Sequence, residues 1–395
     1  MPTLPLSSWK TTTRYNRLIS NGPHTRCGKP LMPCRTMRFT GSIRSPGTWP
    51  AARWRPARCC RTSEATMVST KPLLLGLILL VFSAFWMSLS FGQTRISQQD
   101  LWQAFTAFDA TSVEHTVVRI NRLSRAATAL VIGAALAVAG VLSQTLTRNA
   151  LASPGLLGIN AGALMFIAIG FTWLNLSSLL GYMLLGFLGA TVATALVYLL
   201  AWQRGLLSPL RIILAGAACG AMFTALTQGI LIADQATLSG LVYWLGGSVA
   251  GRSLEAVGAF APWVLVVTIL VWLSSRLLNL LLLDDETAAG LGQSVNRVRP
   301  MAGLAVIVLA GGSVAVAGLI GFIGLIVPHA ARRLVGTDHR RLVPVSALIG
   351  GLLLLLADTL SRFIIPPQEM PIGVMTAAIG IPVFLVLVTR RQVAL

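Results

Sequence analysis

The side chains of this sequence that could do chemistry are mainly arginines and a few carboxylates. Three arginines cluster at positions 119–125, and Arg362 lies four residues after Asp358 within a largely apolar stretch. Three consecutive acids at 284–286 form the other charged group of note. Such residues are typical of ion pairing, because a guanidinium group binds a carboxylate through two parallel hydrogen bonds.

Common catalytic and cofactor-binding patterns are missing from the sequence. Gly28-Lys29 is followed by Pro30, so it does not form a phosphate-binding loop of the Gly-x-x-x-x-Gly-Lys-[Ser/Thr] type, and that motif occurs nowhere else. The histidines are dispersed, no His-Glu-x-x-His occurs, and the cysteine spacings fit no zinc pattern. We therefore predict that the chain is not an enzyme, carries no cofactor or metal, and depends on another chain for energy.

The composition is that of a polytopic membrane protein. Of the 395 residues, 55% are hydrophobic and 11% are charged, whereas a soluble domain carries about 25% charged residues. A membrane helix needs roughly 20 mainly apolar residues. The sequence therefore predicts an all-α fold of about ten transmembrane helices. They fall in the uncharged runs 72–94, 126–147, 149–203 (two helices), 212–233, 256–275, 300–331 (one long and one short), 342–356 and 370–389. The run 235–251 is shorter and is predicted to be re-entrant.

The basic residues predict how these helices are oriented. With Lys71 in the cytoplasm, thirteen basic residues of the body fall inside and six fall outside, which agrees with the excess of Lys and Arg in cytoplasmic loops. The arginine cluster at 119–125 falls outside and opposes this rule. It is therefore either a threading error or a functional exception.

The first 66 residues differ from the rest of the chain. They contain 12 Lys or Arg residues and one acid, four of the five cysteines, and no apolar run long enough for a secretory signal. We predict that 1–66 is a disordered or wrongly assigned N-terminal extension and that 67–395 is the membrane domain. A transit peptide and a nucleic-acid-binding tail are the alternatives.

Two segments of the body indicate an internal repeat. Residues 133–142 and 311–320 are identical at five of ten positions at an offset of 178. In the threading above, the two copies run in opposite directions across the membrane, and inverted repeats are typical of transporters. The alternative is that two helices rich in Ala and Gly match by composition.

A set of longer motifs resembles one known family. In the first half they are RLSR at 122–125, GAALAVAG at 133–140, RNALASPGLLG at 148–158 and NAG at 160–162. In the second half they are GLIGFIGLIVPH at 318–329, GTDHR at 336–340, EMPIG at 369–373 and GIP at 380–382. Together they resemble the permease subunit of iron–siderophore and cobalamin ABC importers, the FecCD type, over about residues 70–391.

The resemblance implies an architecture and a set of partners. It implies ten helices in each subunit of a permease dimer, formed with the same or a sister chain, in the bacterial inner membrane. Two ATPase subunits would dock on the cytoplasmic side and supply the missing phosphate-binding loop. A periplasmic or lipid-anchored substrate-binding protein would dock outside. No nucleic-acid partner is implied.

The resemblance also assigns roles to residues at the outer surface. Arg122, Arg125 and Arg362 resemble arginines that pair with acids of the binding protein, and Asp358 would pair with Arg362 and orient it from four residues away. The alternatives are arginines that reach toward lipid headgroups and a proton relay through Asp358.

The loop 283–292 resembles the cytoplasmic helix that couples the permease to its ATPase. Acids in its first turn favour the helix dipole, and a glycine would end it; a plain solvated connector is the alternative. The candidate coupling residues are Asp284, Asp285, Glu286, Gly290, Leu291 and Gly292.

The function implied is ATP-driven import of an iron(III)–siderophore across the inner membrane, with this chain as the translocation subunit. Cobalamin or haem is the alternative substrate. An ion-coupled secondary carrier using Asp358 is the alternative from a different class.

Overall fold

The computed structural model of the chain describes most of the predicted membrane domain. The described residues are 70–92, 94, 96–174, 176, 178–203, 206–234, 241, 244–364 and 369–389. The prediction for 1–66 lies outside these residues, as does most of the first half of the predicted re-entrant run 235–251.

The described part is built from helices and one very short hairpin. In chain order the elements are α1 (Thr70–Ser90), α2 (Gln98–Thr106), α3 (Val113–Thr116), α4 (Leu123–Thr147), α5 (Ile159–Thr172), α6 (Leu179–Ala201), β1 (Trp202–Gln203), β2 (Leu206–Leu207), α7 (Pro209–Ala233), α8 (Leu254–Leu273), α9 (Ser275–Leu281), α10 (Asp285–Gly290), α11 (Val295–Val306), α12 (Gly312–Ala317), α13 (Ile323–Val335), α14 (His339–Ile364) and α15 (Ile372–Thr389). The antiparallel β1–β2 hairpin joins α6 to α7.

Seven helical segments among the described residues are long and apolar enough to cross a membrane. Two of them contain a π-helical turn: Val117–Arg122 connects α3 to α4, and Ile307–Gly311 connects α11 to α12. The other five are α1, α6, α7, α8 and α14, and the apolar helices α5 and α15 are shorter. The all-α membrane fold is therefore confirmed. The count of ten spans stays a prediction, because seven of the described segments are long and apolar enough. The inverted repeat also stays a prediction, because its first copy lies wholly inside α4 whereas its second copy leaves the helix at Gly318.

The helix ends follow from local sequence. Ser178 and Ser253 precede α6 and α8, and each hydroxyl accepts a backbone N–H of the first turn, at 3.1 Å and 3.2 Å. The 149–203 run breaks between α5 and α6, as its polar stretch near 175–178 predicts. Helix α4 ends at Arg148, whose backbone is left-handed with φ +48°.

Helix α4 lies at the centre of the fold and is buried along most of its length. Its closest neighbours are α13 and α14. A Cβ on Gly133 would clash with the backbone carbonyl of Gly350, and one on Gly140 would clash with that of Gly324. Glycines therefore let these helices approach backbone to backbone, as is common in membrane bundles.

The bundle has two distinct ends. Arg122, Arg125 and Arg362 lie at one, here called the arginine end, beside the last turn of α1. Helix α10 and the start of α11 lie at the other, here called the aspartate end after Asp285. Helix α4 runs from one to the other, and its 25 residues span about 37 Å at 1.5 Å per residue.

Candidate functional site

Arg122 is buried at the arginine end and serves the fold there. It is 5% exposed, and its Nη1 donates to the carbonyl oxygens of Leu89 and Ser90 at 2.6 and 2.8 Å. Its Nη2 donates to the carbonyl of Thr94. These bonds fasten the end of α1 to the start of α4, so Arg122 does not project from the surface as a docking arginine would.

Asp358 is fully buried between two arginines. Its Oδ1 accepts from Arg125 Nε at 2.6 Å, and its Oδ2 accepts from Arg362 Nη2 at 2.5 Å. The predicted Asp358–Arg362 pair is therefore confirmed. Arg362 also donates to the carbonyls of Ser88 and Phe91, at 2.9 and 3.2 Å. The pair thus links α14 to α1.

Glu369 completes this cluster and was given no role from sequence. Its Oε2 accepts from Arg125 Nη1 at 2.5 Å, and its side chain is 35% exposed. Arg125 therefore joins buried Asp358 to a carboxylate near the surface. The two members of the Arg125–Glu369 pair are 244 residues apart, and only the position of Glu369 within the EMPIG motif singles it out in the sequence.

These residues border an open cleft of about 960 Å³ at the arginine end. Its lining includes five arginines and two glutamates, namely Arg119, Arg122, Arg125, Arg252, Arg362, Glu255 and Glu369. The three arginines predicted from sequence are therefore brought together at one cleft, with Asp358 behind them. The cleft carries net positive charge, which attracts anionic partners or ligands.

The predicted coupling segment forms a short capped helix at the aspartate end. Asp284 is its N-cap, and its Oδ2 accepts from the backbone N and the hydroxyl of Thr287 at 3.0 and 2.7 Å. These bonds lower the pKa of Asp284. Asp285 and Glu286 lie in the first turn and Gly290 is the last helical residue, as predicted.

The exposed surface of this segment is acidic at one side and apolar at the other. Asp284 and Glu286 are exposed, and Leu291, which follows the helix, is 62% exposed. Gly292 has φ +83°, a conformation that glycine adopts without strain. The chain therefore turns sharply after α10 and presents Leu291 outward.

Asp285 points the opposite way, into the fold. Arg299 binds it bidentately, Nη1 to Oδ2 at 2.8 Å and Nη2 to Oδ1 at 2.6 Å, and Arg148 Nη2 reaches Oδ1 at 2.6 Å. Arg148 also donates from Nε to the carbonyl of Leu281 at 2.9 Å. We call Arg148, Asp285 and Arg299 the aspartate clamp. It fastens α10 to the end of α4 and to α11.

The clamp sets the ionisation of Asp285. Partial burial alone would raise the pKa of Asp285, but the hydrogen bonds and the positive charges of Arg299 and Arg148 together outweigh burial and hold that pKa below its ordinary value of 3.8. Arg299 is 1% exposed. The sequence placed Asp285 among the coupling acids but did not indicate its two inward partners.

A second polar network lies near this end, and the sequence did not predict it either. Gln144 of α4 accepts from Arg332 Nη1 at 2.5 Å and donates to the carbonyl of Leu325 at 3.2 Å. The buried ring of His339 lies 2.8 Å from Thr145 Oγ1 and 2.6 Å from Asn279 Oδ1. The network joins α4 to α13 and α14. Within the described residues, no group of His, Cys, Asp and Glu could hold a metal ion.

The membrane-length helices, with a cationic cleft at one end and a short capped acidic helix at the other, define a multi-pass helical membrane protein. The chain belongs to the FecCD transport family, whose profile matches residues 77–390. The predicted family is therefore confirmed.

Similar proteins support this membership. The chain is 44% identical over 320 residues to the probable siderophore transport system permease protein YfiZ of Bacillus subtilis, covering 81% of this chain and 96% of that protein. It is 41% identical over 317 residues to the ferric enterobactin transport system permease protein FepD of Escherichia coli, covering 80% and 94%.

A solved structure is similar as well. It is an inward-facing conformation of a metal-chelate type ABC transporter, with a TM-score of 0.73 and 32% sequence identity. The similarity covers 81% of this chain and 99% of that one.

Proposed function

We propose that this chain is the membrane permease subunit of an ATP-driven importer that carries an iron(III)–siderophore across the bacterial inner membrane. The observation that carries the proposal is the 44% identity over 96% of a relative named as a siderophore permease. ATP is hydrolysed on separate ATPase chains, since this sequence has no phosphate-binding loop. Transport proceeds by alternating access between two permease subunits.

The aspartate end is the proposed docking surface for the ATPase. Helix α10 is exposed on the side of Asp284, Glu286 and Leu291, while the aspartate clamp holds its other side to α4 and α11. A helix held in this way can pass a displacement by the ATPase to the two membrane helices. Gly290 and Gly292, both exposed, end the segment.

The arginine end is the proposed docking surface for the substrate-binding protein. Arg125 is the member of the predicted set best placed for a direct contact, because its side chain is 12% exposed and already holds the partly exposed Glu369. Arg122 and Arg362, 5% and 4% exposed, support the surface from behind, and Asp358 positions Arg125 and Arg362.

Uptake in cells lacking the gene tests the transport function. The cells receive a chain that begins at Met67 and are given labelled ferric siderophores and, in parallel, labelled cobalamin. We expect siderophore uptake, and its loss when the cognate ATPase is inactivated. Uptake of cobalamin alone would show that the substrate is wrong. Uptake by the full chain but not by the chain from Met67 would contradict the prediction that 1–66 is a disordered or wrongly assigned extension.

The docking surface is tested by binding of the substrate-binding protein to the assembled transporter in lipid nanodiscs. We expect Arg125→Gln to weaken that binding about tenfold, the loss of about 1.4 kcal/mol, and the loss to shrink at high salt. Arg297→Gln, an exposed arginine at the aspartate end, is the control. Equal binding by both variants would rule out docking through Arg125.

The coupling role is tested by removing the cap of α10. Asp284→Ala removes both hydrogen bonds to Thr287, so the first turn of α10 becomes less stable. We expect both uptake and the ATP hydrolysis stimulated by the loaded binding protein to fall. Ser178→Ala, which removes the equivalent cap of α6, is the matched control. Normal coupling in Asp284→Ala would assign α10 to a plain connector.

A further inference from the structure

Arg252 has an unusual environment at the arginine end. It is partly buried in the loop before α8, and its guanidinium lies 4.9 Å from the centre of the Trp244 ring. Its backbone carbonyl accepts from Ser124 Oγ at 2.7 Å, which fixes the loop to α4. Its Nε is buried, and among the described residues it has no hydrogen-bond partner.

Arg252 is held differently from Arg122, Arg125 and Arg362. Arg122 is bound by carbonyl oxygens, and Arg125 and Arg362 are bound by Asp358. Arg252 forms an ion pair with none of the described acids, and its guanidinium rests on an aromatic ring instead. Arg119, at the exposed rim, is held in the same way, 4.7 Å from the centre of the Phe108 ring.

A partly buried guanidinium without a carboxylate partner favours an anion. Burial lowers the pKa of Arg252, yet an arginine keeps its charge at any physiological pH, so a negative group in the cleft would offset the desolvation of this cation. The aromatic face contributes to holding the cation but leaves Nε without an acceptor among the described residues. The flat fork then suits a carboxylate or a pair of phenolate oxygens.

The cleft has room for a small-molecule anion. Its volume of about 960 Å³ lies at the upper end of the range of about 300–1,000 Å³ for ligand pockets. Arg119 and Arg252 both line the cleft. Arg119 is exposed, whereas Arg252 is partly buried against Trp244, which is itself 4% exposed.

We propose that Arg252, with Arg119 at the rim, is a binding site for ferric chelates of net negative charge, whose carboxylate or catecholate oxygens it receives as they leave the binding protein. The inference rests on the proposed function and adds a substrate class to it. The site would favour anionic chelates over neutral ones of similar size.

The test compares two chelates in the same assay. Cells or proteoliposomes with the full transporter are given an anionic ferric tris-catecholate and a neutral ferric tris-hydroxamate. We expect the wild type to carry the catecholate and Arg252→Gln to raise its half-saturation concentration about tenfold. Arg252→Lys keeps the charge but loses the planar guanidinium, so its half-saturation concentration should lie between those of the wild type and Arg252→Gln. Arg276→Gln, exposed at the opposite end, is the control.

Four other outcomes would overturn the inference. One is an unchanged half-saturation concentration in Arg252→Gln. Another is an equal loss for both chelates together with weaker docking, which would assign Arg252 to the binding-protein surface. A third is a wild type that carries only the neutral chelate, which would leave the proposed function standing. Failure of the wild type to carry any ferric chelate would reject the proposed function and this inference together. Membrane insertion of each variant is measured alongside.

Discussion

At the residue scale, each end of the bundle contains one aspartate held by two arginines. Asp358 lies between Arg125 and Arg362, and Asp285 lies between Arg148 and Arg299. In both cases one of the two arginines lies at an end of α4: Arg125 is in its first turn, and Arg148 directly follows its last turn. Charge is therefore neutralised where helices must be joined, and the cost of burying it is offset by hydrogen bonds to both oxygens.

The aspartate clamp makes stability depend on acid pH. Because the folded-state pKa of Asp285 is lowered, the clamp stabilises the folded state above the ordinary pKa of 3.8 and loses this contribution as pH falls through the lower folded value. We expect the thermal unfolding temperature of the detergent-solubilised protein to fall as pH is lowered from about 4 through the lower folded-state pKa of Asp285. Asp285→Asn should be less stable at pH 5 and should show a shallower fall. Parallel curves for the two proteins would contradict this account.

At the element scale, the sequence predicts most helix positions but few of the contacts between them. The uncharged runs 126–147 and 212–233 correspond to α4 and α7 within three residues at each end, because the length of an apolar run reports the membrane-crossing segment directly. The contacts of Arg125 with Asp358 and of Arg148 with Asp285 join residues 233 and 137 positions apart. A single sequence contains no signal for such pairs.

The interpretation of Arg122 shows the same limit at one position. From the sequence alone, an arginine that lies outside against the cytoplasmic excess of basic residues indicates a functional contact. The structure instead gives it three backbone carbonyls at and just after the end of α1, and places it in the π-helical turn before α4. That turn has no signature in the sequence. The docking role of the set stays a prediction, for which Arg125 is the better test.

The glycines of α4 allow a prediction about helix packing. A Cβ at position 140 would lie 2.5 Å from the Cα of Gly324 and would also clash with its carbonyl. We therefore expect Gly140→Ala to destabilise the protein by about 1–3 kcal/mol through overpacking. Gly258→Ala in α8, where a Cβ meets nothing within 4 Å, should be neutral or slightly stabilising. The measurement is the unfolding midpoint of both variants, and equal midpoints would show that α4 and α13 can separate at little cost.

At the scale of the whole molecule, α4 connects the two proposed partner surfaces. Arg125 and Ser124 at its start contact Asp358 and the Arg252 loop, and Arg148 after its end contacts α10. Helices α13 and α14 pack along it through glycines. A displacement of α10 by the ATPase therefore has a packed path to the cleft. Energetic coupling along this path is measurable in the double variant Arg148→Gln, Arg125→Gln. We expect its loss of stimulated ATP hydrolysis to be smaller than the sum of the two separate losses, because either substitution already interrupts the path.

The energy source is the property that most clearly separates an ABC permease from an ion-coupled carrier. A proton relay needs an acid that can gain and lose a proton at modest cost. Asp358 is fully buried, and both of its oxygens accept hydrogen bonds from arginines that join α14 to α4 and α1, so the geometry gives it a structural part in the bundle. We expect uptake to continue when the membrane potential and proton gradient are collapsed while ATP stays high, and to stop when ATP is depleted with the potential intact. Uptake that follows the gradient instead would return Asp358 to the role of a relay and would reject the ATP-driven importer.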